Sequence, residues 1–131
     1  MPKRPSPHPT EAELEILNVL WHKGPGTVRE IHDTLQADRT TGLTTTLKII
    51  QVMTEKGLLA RSEEGYPYRY RATSREAVTQ SGLVKDLINR AFDGSVRKLV
   101  VRAVEDAGLS NDELKEMRKL IDAMRKRQRG E

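Results

Sequence analysis

Residues Gly42–Thr73 read GLTTTLKIIQVMTEKGLLARSEEGYPYRYRAT, and a change of period inside them decides the fold. The first half follows a helix. At roughly 100° per residue, Thr46, Ile49, Ile50 and Met53 gather on one face, and Thr44, Lys48, Gln51 and Glu55 on the opposite one. Three threonines in a first turn are unusual, because β-branched side chains lose rotamer freedom against the preceding turn. Gly57 is the expected C-cap. Beyond it the period drops to two. Leu58 and Ala60 alternate with Leu59 and Arg61, EEG forms a turn, and Tyr66, Tyr68 and Tyr70 alternate with Pro67, Arg69 and Arg71. That pattern predicts a β-hairpin, with Pro67 at an edge strand or at the first residue of the second strand.

Working outward toward the N-terminus, residues 1–9 hold four prolines and are expected to be a disordered arm. Thr10 and Glu13 have capping-box spacing and start a helix whose apolar positions are Leu14, Leu17, Val19, Leu20 and Trp21. KGPG (Lys23–Gly26) ends it. Thr27, with Glu30 three residues on, caps a short second helix carrying Val28, Ile31 and Leu35, and QADRTTG is a polar loop. Toward the C-terminus, Ser74 is the expected cap of a helix running to about Phe92. FDGS and AGLS separate it from two more, a strongly apolar one (Val96, Leu99, Val100, Ala103, Val104) and a last one capped by Ser110 and Glu113, with Leu114, Met117, Leu120, Ile121 and Met124 as its stripe. The expected organisation is a 1–9 arm, a 10–72 domain and a 73–128 helical domain.

Composition narrows the classes. With no cysteine there are no disulfides or thiolate metal sites. His8, His22 and His32 do not share a ligand face, so no metal or other cofactor is expected. No phosphate loop, HExxH or catalytic triad order appears, which argues against an enzyme. The basic N-terminus lacks an apolar run after it, and the apolar runs are too short to span a bilayer, so the expected location is cytoplasmic with no stable membrane association. The net charge of +4 permits nucleic-acid binding without requiring it. Much of the excess sits in RKRQR (Arg125–Arg129), which reads equally well as a solvated tail.

Three helices followed by a hairpin within about 65 residues is the order of a winged helix-turn-helix. The expected fold is mainly α, a winged helix-turn-helix DNA-binding domain followed by a helical dimerisation domain. A helix docking in the major groove needs short side chains near its start, so that its backbone can approach the base edges, and hydroxyls, amides or cations to bond them. Thr44, Thr45, Lys48 and Gln51 supply these, while Arg61, Arg69 and Arg71 on the wing suit flanking phosphates. The plainer account is that Thr44–Thr46 only start the helix and Lys48 and Gln51 only meet water. Trp21 reads as core, as do Tyr68 and Tyr70; Tyr66 is open between packing and a phosphate contact. Glu63 and Glu64 at the wing tip would repel phosphate. The C-terminal helices carry more aliphatic positions than so thin an extension can bury. Leu87, Leu99, Val100, Ala103, Leu114, Met117, Leu120 and Ile121 are expected to be covered by a second copy, and a symmetric dimer reads a pseudo-palindrome in double-stranded DNA. Two alternatives are that these helices fold back on the first domain, and that the winged helix is a protein-interaction module.

The wording also resembles a family. PTEAELEILNVLWHKGPGTVREIH (Pro9–His32), Thr44 and Thr45 followed by EKGLL (Glu55–Leu59), YRYRATSREA (Tyr68–Ala77) and SVRKLVVRAVEDAGLSNDELKEMRKLID (Ser95–Asp122) occur in the order found in penicillinase repressors, the BlaI, MecI and CopY-type regulators. The resemblance implies a homodimeric repressor of an operator dyad. In β-lactam-responsive members it further implies a membrane sensor-protease that relieves repression by cutting an Asn-Phe bond in a helix like LVVRAVED. Arg102 and Ala103 stand at those positions here. The copper-responsive branch carries a cysteine-rich site that a chain without cysteine does not share.

Overall fold

The computed structural model describes residues 8–36 and 42–130. The greater part of the expected N-terminal arm and of the QADRTTG loop lies outside them. The elements run α1 (Glu11–Lys23), β1 (Gly26–Thr27), α2 (Val28–Leu35), α3 (Leu43–Glu55), β2 (Leu59–Arg61), β3 (Arg69–Ala72), α4 (Glu76–Ala91), α5 (Val96–Asp106) and α6 (Asn111–Gln128). Two compact units divide between Val84 and Lys85, within α4. The first is a winged helix-turn-helix.

Local chemistry sets most boundaries. The Thr10 hydroxyl accepts from the Glu13 N–H at 3.2 Å while the Glu13 carboxylate accepts from the Thr10 N–H at 2.9 Å, closing the capping box that starts α1. Gly24, at φ 84°, ends it. Thr27 caps α2 by accepting from the Glu30 N–H at 3.1 Å. Gly57, at φ 83°, lies just past α3 and turns the chain into the wing.

The core is Ile16, Leu17 and Leu20 from α1, Ile31 from α2, Ile50 and Met53 from α3, Leu59 from β2 and Tyr70 from β3. Thr46 is also buried, so the stripe expected on α3 is the one that packs. On α1 the buried face is centred on Glu13, Ile16, Leu17 and Leu20, leaving Trp21 half-buried with its indole N–H donating to the Ser74 carbonyl at 2.9 Å. Ser74 is thus used as an acceptor; α4 begins two residues later, at Glu76.

The wing differs from a two-stranded hairpin. β1 adds a third strand, pairing Gly26 with Tyr70 and Thr27 with Arg69, so the order is β1-β3-β2 and β3 is central. Pro67 lies ahead of β3, in the loop, where its missing N–H leaves no gap in the ladder.

In the second unit α5 is capped by Ser95 and α6 by a Ser110–Glu113 capping box. No residue of α4, α5 or α6 is buried. Leu87, Val100, Ala103, Leu114, Met117, Leu120 and Ile121 are exposed, Leu120 at 61%, and Leu99 is half-buried. No helix among the described residues is long and apolar enough to cross a membrane.

Candidate nucleic-acid interface

α3 is anchored on three sides. From below, Thr46, Ile50 and Met53 sit in the core. From α2, buried His32 shares a hydrogen bond between its Nδ1 and the Thr46 hydroxyl at 2.9 Å. From α1, the Glu13 carboxylate accepts from Lys56, just past the helix end, at 2.9 Å. Burial pushes the Glu13 carboxyl up, but the Thr10 backbone N–H and the Lys56 ammonium outweigh it and hold the group below its ordinary value. A helix fixed in this way presents its free face in a defined orientation.

That face carries Thr44, Lys48, Gln51 and Glu55, all exposed. No hydrogen bond or ion pair occupies the side chains of Thr44, Lys48 or Gln51 among the described residues. Thr45 is exposed too, but it stands on the flank facing the start of α1, beside Thr10 and Glu13. The opposite flank, toward the wing, is apolar, with Leu43 and Leu47 both exposed. Thr46 is the threonine spent on packing.

The three wing arginines do not act as one group. Arg61 pairs across the strands with Tyr70, and Arg71 with Ala60, so the two point to opposite faces of the sheet. Arg61 lies over the Tyr68 ring, 4.0 Å from its centroid, on the face that looks toward α3. Arg71 is exposed, and no ion pair engages it among the described residues. Arg69 is engaged: its guanidinium donates to the Pro25 carbonyl at 2.8 Å and to the Glu30 carboxylate at 3.3 Å, tying the wing to the chain before α2 and to the first turn of α2. The Tyr66 ring, 87% exposed, meets Tyr68 edge to face, with centroids 5.6 Å apart. Sequence reasoning passed over Arg29, an exposed cation in the first turn of α2 that borders the same space as Thr44. Its signal was weak: one arginine on a short amphipathic helix. No group of three His, Asp or Glu among the described residues could hold a metal ion.

The penicillinase repressor family profile matches residues 9–123. The chain is 26% identical over 113 residues to the methicillin resistance regulatory protein MecI of Mammaliicoccus sciuri, covering 86% of this chain and 92% of the relative. It is 29% identical over 100 residues to the transcriptional regulator BlaI of Mycobacterium tuberculosis, covering 75% and 72%. A penicillinase repressor of Staphylococcus aureus is 22% identical over 116 residues, covering 88% and 92%. Among solved structures, a MarR family protein from Bacillus stearothermophilus superposes with a TM-score of 0.54 over 92% of this chain and 75% of its own, at 16% identity, a likeness of fold.

Proposed function

The chain belongs to the penicillinase repressor family, and on that premise we propose that it is a cytoplasmic transcriptional repressor that binds an operator dyad in double-stranded DNA as a homodimer. The observation that carries the reading is the α3 surface. Its partner-free polar residues Thr44, Lys48 and Gln51 lie on a helix held from below by Thr46, Ile50 and Met53. On this reading Thr44, Lys48 and Gln51 face base edges in the major groove, with Thr45 at the flank. Arg61 and Arg71 hold phosphates on either side of the wing. Arg69 chiefly braces the wing and reaches phosphate only by giving up Glu30.

The exposed aliphatic residues of α4–α6 support the dimer, since an apolar face of this kind gains by being covered. Two winged helices about one DNA turn apart then match the symmetry of a dyad. For the membrane sensor-protease that the family resemblance implies, Arg102 and Ala103 are exposed but lie inside α5. Cutting between them requires α5 to open locally first.

The test is a gel shift with the DNA upstream of the chain's own gene at two salt concentrations. Retention that is sequence-selective and falls with salt is expected. Lys48→Ala should weaken it and alter the base preference; a uniform loss with the salt slope lower by about one would make Lys48 a phosphate contact instead. No retention at either salt would replace the repressor reading with a protein-interaction module.

A further inference from the structure

The flank of α3 that faces the wing has a chemistry that phosphate binding leaves unexplained. A cavity of about 330 Å³ opens there, between the start of α2, the first turns of α3 and the wing loop. Its apolar walls are Val28, Leu43, Leu47, Pro67 and the rings of Tyr66 and Tyr68, with Thr27 and Tyr70 also lining it. A surface built only to follow a phosphate backbone gains from cations and hydroxyls, not from leucine and valine. At its border stands Arg29, exposed and without a hydrogen-bond or ion-pair partner among the described residues.

We propose that this cavity is an effector site for a small aromatic carboxylic acid of one or two rings. Size argues for a small molecule: ligand pockets start at roughly 300 Å³, whereas a partner helix about 10 Å across needs a longer trough. Aliphatic walls and the two tyrosine rings favour a flat apolar body, which aromatic faces hold by offset or edge-on stacking. The Arg29 guanidinium suits a carboxylate, which it can bind through two parallel hydrogen bonds. The consequence for DNA rests on the repressor reading above. Thr44 borders the cavity, so an acid seated there stands against the base-reading face and occupies a cation that is otherwise free to meet phosphate. Occupant and operator then exclude each other, the differential binding that an inducer requires.

The probe is 2-naphthoate, added to the full-length protein without DNA and followed by backbone amide shifts. Saturable shifts at Thr44, Leu47 and Tyr68 are expected, with a dissociation constant on the order of 1 mM. Arg29→Gln should weaken binding on the order of tenfold. Val28→Phe, which adds a ring to the cavity lining from the start of α2, should abolish it. Leu47→Gln, at a more exposed wall, tests the same space if Val28→Phe does not fold. Shifts that fail to saturate, or that are the same in the Arg29 and cavity variants, overturn the site. In the gel shift, naphthoate should release operator from the wild-type chain. Saturable binding that leaves operator retention unchanged overturns the regulatory role. Operator retention without naphthoate binding removes the cavity alone, whereas naphthoate binding with no operator retained removes the repressor reading alone.

Discussion

Replacing Glu13 by Gln tests the idea that α3 is held in register by a partly buried charge. The Glu13 residue is 3% exposed, and its carboxylate does two jobs, closing the α1 capping box and pairing with Lys56, whose side chain is 35% exposed. Gln retains an oxygen for the Thr10 N–H but loses the ion pair. Removing one partner of a fully buried pair costs ~3–5 kcal/mol, and an exposed pair is worth ~0–1 kcal/mol. Lys56 can turn to water, so the expected loss lies between, at about 1–2 kcal/mol near neutral pH. For a unit of this size that lowers the melting temperature by about 5–15 °C. The folded-state pKa of Glu13 is lowered. Its stabilisation is therefore fully present above the ordinary carboxylate pKa and is lost as pH falls through the lowered value. The gap between wild type and Glu13→Gln, followed by circular dichroism melts from about pH 7 to about pH 3, should shrink toward zero. A gap that persists undiminished in acid would refute the ion-pair account and leave only altered packing. No gap at neutral pH would refute the anchoring role itself.

Three further outcomes follow from the same structure. Ile50→Ala empties a site that is 0% exposed beneath α3 and should cost ~2–5 kcal/mol in chemical denaturation. Arg61→Ala should weaken operator binding and lower the salt slope by about one, while Arg69→Ala should mainly loosen the wing, visible as faster amide exchange in β1 and β3; equal DNA effects would show that the Glu30 and Pro25 contacts give way on binding. Ile121→Lys puts a charge on the apolar face of α6 and should shift sedimentation at micromolar concentration from dimer to monomer without changing the melting of the first unit. A wild-type chain that sediments only as monomer would remove the dimer from the proposal.

Sequence legibility follows the range of the interactions. The capping boxes at Thr10–Glu13 and Ser110–Glu113, the glycine exits at Gly24 and Gly57, and the Thr46–Ile50–Met53 stripe all depend on partners within about one helical turn, so spacing alone reveals them. The burial of Thr46 and the exposure of Thr44 were legible for the same reason, whereas the place of Thr45, on the flank beside the start of α1, was not. The α1 stripe was placed less well: Ile16 was passed over, and Glu13, at the centre of the buried face, carries a charge that hides its burial from any hydrophobic pattern.

What only the tertiary structure decided are pairings between residues far apart in the chain. β1 is two residues long and exists because β3 lies beside it; nothing periodic marks Gly26–Thr27 as a strand. Glu13 and Lys56, and His32 and Thr46, are brought together by helix packing, and a long cation or an imidazole gives no sign in sequence of which partner it will find. Alternation across β3 placed Arg69 and Arg71 on one face, but cross-strand register put Arg61 on the other, and the approach of Glu30 and Pro25 engaged Arg69. Local periodicity and capping therefore specified the helices and the exposed polar face of α3, because a helix closes its own hydrogen bonds. Register, the third strand and the state of each arginine waited on the fold, because strands and charges are completed only by partners the chain must first bring near.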